Sequence, residues 1–177
     1  MKSTLFLLAA ALMVMGAYAA NTSVPPNLHE LMKNVVAVQA QLIWDVGNRA
    51  QDDQGNPDAA KLKPTDWTRI IAAGGKVKQA AQALAQAEHV MAAAPGQKLD
   101  GEGNPGTFGA KQVQSAIDAN PKVFRAFAQA LGVSMDQIVA AAQTKDAAKL
   151  FDVSGRLDQV CEDCHVQFWY PEQKAPH

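Results

Sequence analysis

Apolar side chains recur every three to four positions along much of the chain, the spacing of amphipathic helices, and alternating strand-like runs are absent. The first such stretch covers about residues 27–50 and ends at the turn-forming segment 51–57. The second begins near Thr65, a residue type that caps helix N-termini, and extends to about Ala94. The pattern therefore predicts two long helices in the first half of the chain.

Two adjacent glycines, Gly74 and Gly75, lie inside the second predicted helix. Each costs about 1 kcal/mol relative to alanine at a helix interior position. Glycines in such a place indicate either a close approach by a neighbouring helix or bound group, or a simple kink.

The helical pattern of the second half is interrupted. After a glycine-rich loop at 97–108, turn formers stand at 120–121 and at 132–134. Ser134 and Gln137 have the spacing of a capping box, which would start a new helix. The third helical segment is therefore predicted to be broken into shorter helices at 110–119, 121–131 and 135–143.

The last predicted helix runs from about Asp146 to Phe168 or Tyr170 and is stopped by Pro171. Alanine and glutamine are abundant throughout, and they favour helices over strands. The sequence therefore predicts an all-α protein whose helices pack as a bundle.

The most informative motif is Cys161-Glu-Asp-Cys164-His165, near the end of the last predicted helix. C-x-x-C-H is the attachment signature of c-type haem, because two thiols three positions apart can take up both vinyl groups of one porphyrin and the adjacent imidazole can bind the iron. On a helix, Phe168 shares the face of these residues. We expect one covalently attached haem c, with Cys161, Cys164 and Phe168 contacting it and His165 binding the iron.

A structural cysteine pair or half of a zinc site is the alternative interpretation of this motif. Cys161 and Cys164 are the only cysteines in the chain, and no second C-x-x-C or H-x-x-x-H segment accompanies them. A four-ligand zinc site would need such a partner.

The N-terminus has the features of a secretory signal peptide. Lys2 precedes an apolar run at 5–15, and Ala-Tyr-Ala at 17–19 supplies a small-x-small cleavage pattern. We expect cleavage after residue 19, a single domain over 20–177, and no stable membrane insertion afterwards, since the run is short for a membrane span. An uncleaved anchor is the alternative. Because c-type haem is attached outside the cytoplasm, we expect a periplasmic protein.

The charges are nearly balanced, with 16 Lys and Arg against 17 Asp and Glu and a formal net charge of −1. Such a balance differs from the basic surface of nucleic-acid-binding proteins, so we expect no nucleic-acid partner.

In its haem-attachment motif and its helical pattern, the chain resembles the cytochrome c-prime family, the class II c-type cytochromes. Residues 161–168, C-E-D-C-H-V-Q-F, match the family pattern C-x-x-C-H-x-x-aromatic, and their position near the C-terminus differs from the small cytochromes c that carry the motif near the N-terminus. The resemblance implies an up-down-up-down four-helix bundle with haem attached near the end of the last helix. Two departures are Trp169, where Arg or Lys often stands, and the long third segment at 113–143.

In this family the residue opposite the proximal histidine comes from the first helix. The resemblance implies either an apolar residue and five-coordinate iron, or a methionine and six-coordinate, low-spin iron. Met32 is the only methionine of the first predicted helix, and we expect it to bind the iron, which assigns the chain to the Met-ligated branch. The alternative is an ordinary core methionine that fills a gap in the packing and does not bind iron. His29 is the competing ligand, and His89 and His177 are weaker candidates.

Other residues are candidates for secondary haem contacts. Lys33 and Arg156 could each pair with a propionate or be ordinary surface charges. The aromatic candidates for packing the porphyrin are Trp44, Trp67, Phe124, Phe127 and Phe168.

These features predict a periplasmic mono-haem electron carrier that exchanges one electron with redox partner proteins and is not an enzyme. The alternative is a five-coordinate protein that binds nitric oxide or carbon monoxide. Peroxidation would need polar groups on the distal side, and the neighbours of Met32 are mainly Leu31, Val35 and Val36. The resemblance also implies a homodimer formed through the first two helices.

Overall fold

The computed structural model describes residues 24–171, so the predicted signal peptide and His177 lie outside the described residues. Within this range the chain forms helices and no β-strand. The elements, in chain order, are α1 (Leu28–Leu31), a π-helical turn (Met32–Val36), α2 (Ala37–Arg49), a 3₁₀ turn (Ala59–Lys61), α3 (Pro64–Gln86), α4 (Ala110–Ala119), α5 (Pro121–Thr144) and α6 (Ala147–Phe168).

The three elements α1, the π-turn and α2 are continuous and form one rod, called the N-terminal rod below. This rod, α3, α5 and α6 are the four members of a closed bundle, because α2 packs on α3, α3 on α5, α5 on α6, and α6 on α2. Helix α4 is an addition that packs against one end of α5 and α6.

Individual contacts show that α3 and α5 are antiparallel and that α2 lies beside α6. Lys78 of α3 pairs with Asp136 of α5 at 2.5 Å, and Ala81, further along α3, faces Gly132, which lies earlier in α5. The indole Nε1 of Trp44, in α2, donates to the carbonyl of Ser154 in α6 at 3.2 Å. The all-α, up-down-up-down four-helix bundle expected from the sequence is confirmed.

The pair of glycines in α3 marks a close approach of α5. A Cβ atom added at Gly74 would lie 2.7 Å from Cγ2 of Val139, whereas one at Gly75 would meet nothing within 4 Å. Helix α3 continues through both positions. Of the alternatives open from the sequence, the close helix approach is therefore correct.

The third segment is broken once rather than twice. Asn120 separates α4 from α5, as expected, but α5 runs without interruption through 132–134. The hydroxyl of Ser134 donates to the carbonyl of Ala130 at 3.0 Å, so Ser134 lies inside a helix and does not cap one. Leu131 and Met135 are both buried in the core, and this burial outweighs the weak local preference of the turn formers.

Helix α3 also differs from its expected bounds at both ends. It begins at Pro64, with the carboxylate of Asp66 accepting from the N–H of Lys63, so Thr65 is not the cap. It ends at Gln86 rather than at Ala94, because the following segment pairs with the start of the N-terminal rod. There the backbone N–H of Leu28 donates to the carbonyl of Met91 at 2.8 Å, and the N–H of His29 donates to that of Ala92 at 3.0 Å.

None of the helices in residues 24–171 combines the length and the apolar character that crossing a membrane requires.

Candidate functional site

A mostly apolar cavity of about 390 Å³ lies at the end of the bundle where the N-terminal rod begins and α6 ends. This volume falls within the range of small-molecule and cofactor pockets, roughly 300–1,000 Å³. Helices α3, α4 and α5 and the loop before α4 complete the walls. The aliphatic wall residues include Leu28, Val36, Leu84, Val113, Leu131 and Val160.

The five residues that the sequence predicts as site residues all line this cavity: Met32, Cys161, Cys164, His165 and Phe168. Four of them come from α6, whose helical periodicity turns Cys161, Cys164, His165 and Phe168 to one face. Met32 comes from the N-terminal rod. The fold therefore brings together residues from opposite ends of the described chain.

Met32 is the first residue of the π-turn. Its carbonyl accepts from the N–H of Ala37, five positions later, where an α-helix would use the residue four positions later. Single π-turns inside α-helices change the local direction of side chains and are frequent at functional sites. Met32 itself is half-buried and packs against both hydrophobic clusters of the protein.

The two cysteines are free thiols, half-buried in the cavity wall. Burial, together with the nearby carboxylate of Asp158, raises the pKa of Cys161 to about 11. Burial and the neighbouring Cys161 raise the pKa of Cys164 to about 12. Both therefore carry their protons at neutral pH.

Burial favours the neutral form of the His165 imidazole. Burial lowers its pKa below the usual value of 6.5, and this effect outweighs the opposing influence of Glu162. The ring packs edge-on against Trp169, with centroids 5.1 Å apart. Its Nδ1 lies 3.4 Å from the hydroxyl oxygen of Tyr170, which leaves Nε2 as the nitrogen able to bind a metal.

Aromatic rings make up much of the cavity wall. Phe168 is buried, and its ring packs edge-on against Phe124 at 5.6 Å and Phe127 at 6.1 Å. Trp44 also lines the cavity, whereas Trp67, the other tryptophan among the aromatic candidates, lies in the hydrophobic core and is not a wall residue.

Trp169, noted from the sequence as a departure from the family pattern, is a wall residue as well. Its indole N–H is buried and has no hydrogen-bond partner within residues 24–171.

Lys33 and Arg156, the two candidates for pairing with a haem propionate, differ in their distance from the cavity. Lys33 lines the cavity and lies 3.6 Å from Asp100, an exposed pair at the cavity rim. Arg156 is not part of the wall; it lies 2.6 Å from Asp152 and 3.4 Å from the amide of Gln137. Of the two, only Lys33 is near enough to meet a bound group.

The two histidines that compete with Met32 as iron ligands lie in different places. His29 lines the cavity one turn before Met32, whereas His89 is exposed and outside it.

Sequence reasoning missed two polar wall residues, Gln41 and Asp100. Gln41 stands nine positions after Met32, which is the opposite face of a regular α-helix, so its spacing did not point to the cavity. Asp100 comes from a loop, for which no sequence signal existed.

The residues present fit an iron porphyrin. One wall carries two thiols and a neutral imidazole on a single helix face, the N-terminal rod contributes a thioether, and the remaining wall is aliphatic and aromatic. Among residues 24–171 there is no group of three or more His, Cys, Asp or Glu side chains arranged to bind a metal ion.

A family model described as Cytochrome C′ matches residues 71–169, which is more than half of the chain. The match includes most of α3, all of α4 to α6 and the C-x-x-C-H motif, and it leaves out His29 and Met32. No curated protein and no solved structure matches the chain.

Proposed function

Because the chain belongs to the cytochrome c′ family, we propose that it is an electron carrier with one covalently attached haem c. The family implies haem c binding. The observation that carries the proposal is the convergence of Cys161, Cys164, His165 and Met32 on one apolar cavity. Haem c, when bound, supplies a one-electron ferric–ferrous couple.

Cys161 and Cys164 would hold the porphyrin through two thioether bonds. Their separation of three positions in a continuous helix is the spacing of that attachment. Before attachment, the raised pKa of both half-buried thiols keeps little of the reactive thiolate form present.

His165 and Met32 would bind the iron. A neutral imidazole has a lone pair available on Nε2, and a thioether is a neutral donor that favours ferrous iron and raises the potential. Two ligands supplied by the packed ends of two antiparallel helices change position little between oxidation states. That rigidity favours electron transfer over substrate conversion.

The apolar wall supports the same function. Aliphatic and aromatic side chains exclude water from the site and keep its dielectric low. Two of the polar wall residues, Lys33 and Asp100, form an exposed pair at the rim, where Lys33 could instead meet a propionate. We propose that electrons pass between this edge and redox partner proteins in the periplasm, and that the protein transforms no substrate.

One observation favours a second function. Met32 packs with both hydrophobic clusters, as a core methionine that does not bind iron would do. In that case the sixth position would be open within an apolar cavity, which suits the binding of nitric oxide or carbon monoxide.

The spin state of the purified full-length holoprotein distinguishes these functions. We expect a low-spin ferric spectrum and slow uptake of carbon monoxide by the ferrous form, because the thioether of Met32 would compete with the gas for the iron. A high-spin ferric spectrum with fast gas binding would replace the electron-carrier proposal with the gas-binding one.

A further inference from the structure

The chain immediately after α6 returns to the proximal histidine. The backbone N–H groups of Trp169 and Tyr170 both donate to the carbonyl of His165, at 2.7 and 3.0 Å. These two bonds end the helix and fold Tyr170 back over its last turn. The ring of Tyr170 consequently lies 5.7 Å from the imidazole, between centroids, and 5.5 Å from the indole of Trp169.

The hydroxyl of Tyr170 connects His165 to a carboxylate. It donates to Oε2 of Glu162 at 2.6 Å, and its oxygen lies 3.4 Å from Nδ1 of His165. A phenol has a single proton, and an ionised carboxylate can only accept. The proton of Tyr170 is therefore directed to Glu162, and its oxygen is free to accept from an Nδ1–H group.

We infer that Tyr170 and Glu162 are positioning residues for the iron ligand His165, acting as a hydrogen-bonded series that runs from Nδ1–H through the phenol to the carboxylate. The inference rests on the proposed role of His165 as the proximal ligand. Metal-binding histidines commonly donate their second ring N–H to an outer acceptor, which sets the tautomer and the ring orientation and raises the basicity of the ligand.

This hydrogen-bonded series should lower the reduction potential of the haem iron. A carboxylate at its end polarises the phenol and makes the phenol oxygen a stronger acceptor, so the imidazole donates more charge to the metal. A more basic imidazole stabilises the ferric state and lowers the potential. Glu162 and Tyr170 therefore oppose the thioether of Met32, which favours the ferrous state.

The neighbouring carboxylate supplies a matched control. Asp163 stands beside Glu162 in the motif, is also exposed, and accepts from the side-chain amide of Gln159 at 2.6 Å. It has no hydrogen bond to Tyr170 within the described chain. Asp163→Asn thus removes the same charge from nearly the same position without touching the series.

The test uses the full-length holoprotein and the variants Tyr170→Phe, Glu162→Gln and Asp163→Asn. The measurements are the midpoint potential, by redox titration, and the exchange rate of the His165 Nδ1 proton, by proton NMR of the paramagnetic ferric protein. Tyr170→Phe keeps the ring packing and removes only the hydroxyl. We expect it to raise the potential by about 59 mV, a tenfold change in a one-electron equilibrium, and to speed the proton exchange.

Glu162→Gln should also raise the potential, and by more than Asp163→Asn does. In the Tyr170→Phe background, Glu162→Gln should raise the midpoint potential no more than Asp163→Asn does. The Tyr170 hydroxyl that connects Glu162 to His165 is already absent in that background. An unchanged potential and unchanged exchange in Tyr170→Phe would overturn the inference, as would equal shifts from Glu162→Gln and Asp163→Asn. A wild-type protein without a histidine-ligated haem would instead refute the proposed function, before any variant is compared.

Discussion

Met32 and His165 line one cavity from opposite ends of the described chain. Met32 opens the π-turn of the N-terminal rod, and His165 lies in the last turn of α6. Their meeting depends on the antiparallel packing of these two members of the bundle.

Replacing Met32 with alanine should convert the ferric protein from low-spin to high-spin, lower its potential and speed the binding of carbon monoxide. The physical reason is the loss of a thioether that binds and stabilises ferrous iron. Absorption spectra, redox titration and stopped-flow carbon monoxide binding measure the three effects.

The same substitution removes partly buried volume, so it should lower the free energy of unfolding, by about 2 kcal/mol. Met135→Ala is the matched control, since Met135 is fully buried and outside the cavity. We expect Met135→Ala to cost about 2–5 kcal/mol with no change of spin state. A low-spin spectrum that survives Met32→Ala would transfer the distal role to His29, and His29→Ala would then produce the spin change.

Covalent attachment is tested with the cysteines. Haem should remain with the wild-type polypeptide through denaturing electrophoresis, because thioether bonds survive conditions that unfold the chain. Cys161→Ser and Cys164→Ser should each weaken this retention, and the double variant should abolish it. Haem staining of the gel is the measurement, and a wild-type band without stain would exclude a c-type haem.

Gly74→Ala should destabilise the bundle by about 1–3 kcal/mol, because its Cβ would lie 2.7 Å from Cγ2 of Val139 and force α3 and α5 apart. Gly75→Ala, beside it, meets no atom within 4 Å. That variant should therefore stabilise the protein by about 0.5–1 kcal/mol through helix propensity alone. Thermal or urea unfolding measures both effects.

The variant Val139→Ala tests whether a steric clash with Val139 causes the loss of stability in Gly74→Ala. Adding Val139→Ala should recover much of the stability lost in Gly74→Ala. Equal stabilities for Gly74→Ala and Gly75→Ala would show that the two helices do not approach closely at this point.

Asp66 should give the protein an acid-sensitive contribution to stability. The N–H of Lys63 is the largest influence that lowers the pKa of Asp66 below its usual value of 3.8, aided by Arg49 at 2.9 Å and Arg69 at 3.7 Å and opposed by burial. A carboxyl whose pKa is lower in the folded state stabilises that state above its unfolded pKa. The contribution is therefore present at neutral pH and is lost as the pH falls below about 4.

Asp66→Asn should lower the free energy of unfolding at pH 7 by about 0.5–2 kcal/mol, the value of a helix N-terminal cap, and should reduce the loss of stability on acidification. Asp53→Asn is the control, because the side chain of Asp53 is 92% exposed. Unfolding curves at pH 7 and pH 3 supply the comparison. Identical pH dependence in the two variants would contradict the assigned role of Asp66.

Periodicity and one short motif were enough to determine the class of the fold and one half of the candidate site. The four long members of the bundle follow from apolar spacing, which is a local property of each segment. Cys161, Cys164, His165 and Phe168 could be grouped from the sequence because they lie within eight residues of one helix, where backbone geometry alone decides which side chains share a face.

Tertiary structure decided the rest, because those features depend on contacts between distant segments. Leu131 and Met135 are buried against other helices, so α5 stays whole through turn formers that locally favour a break. The segment after Gln86 leaves α3 to pair with residues 27–29, which no local preference encodes. Local preferences of about 1 kcal/mol or less per residue determine where helices form, and the larger free energy of burying side chains between them determines where they end and what they surround.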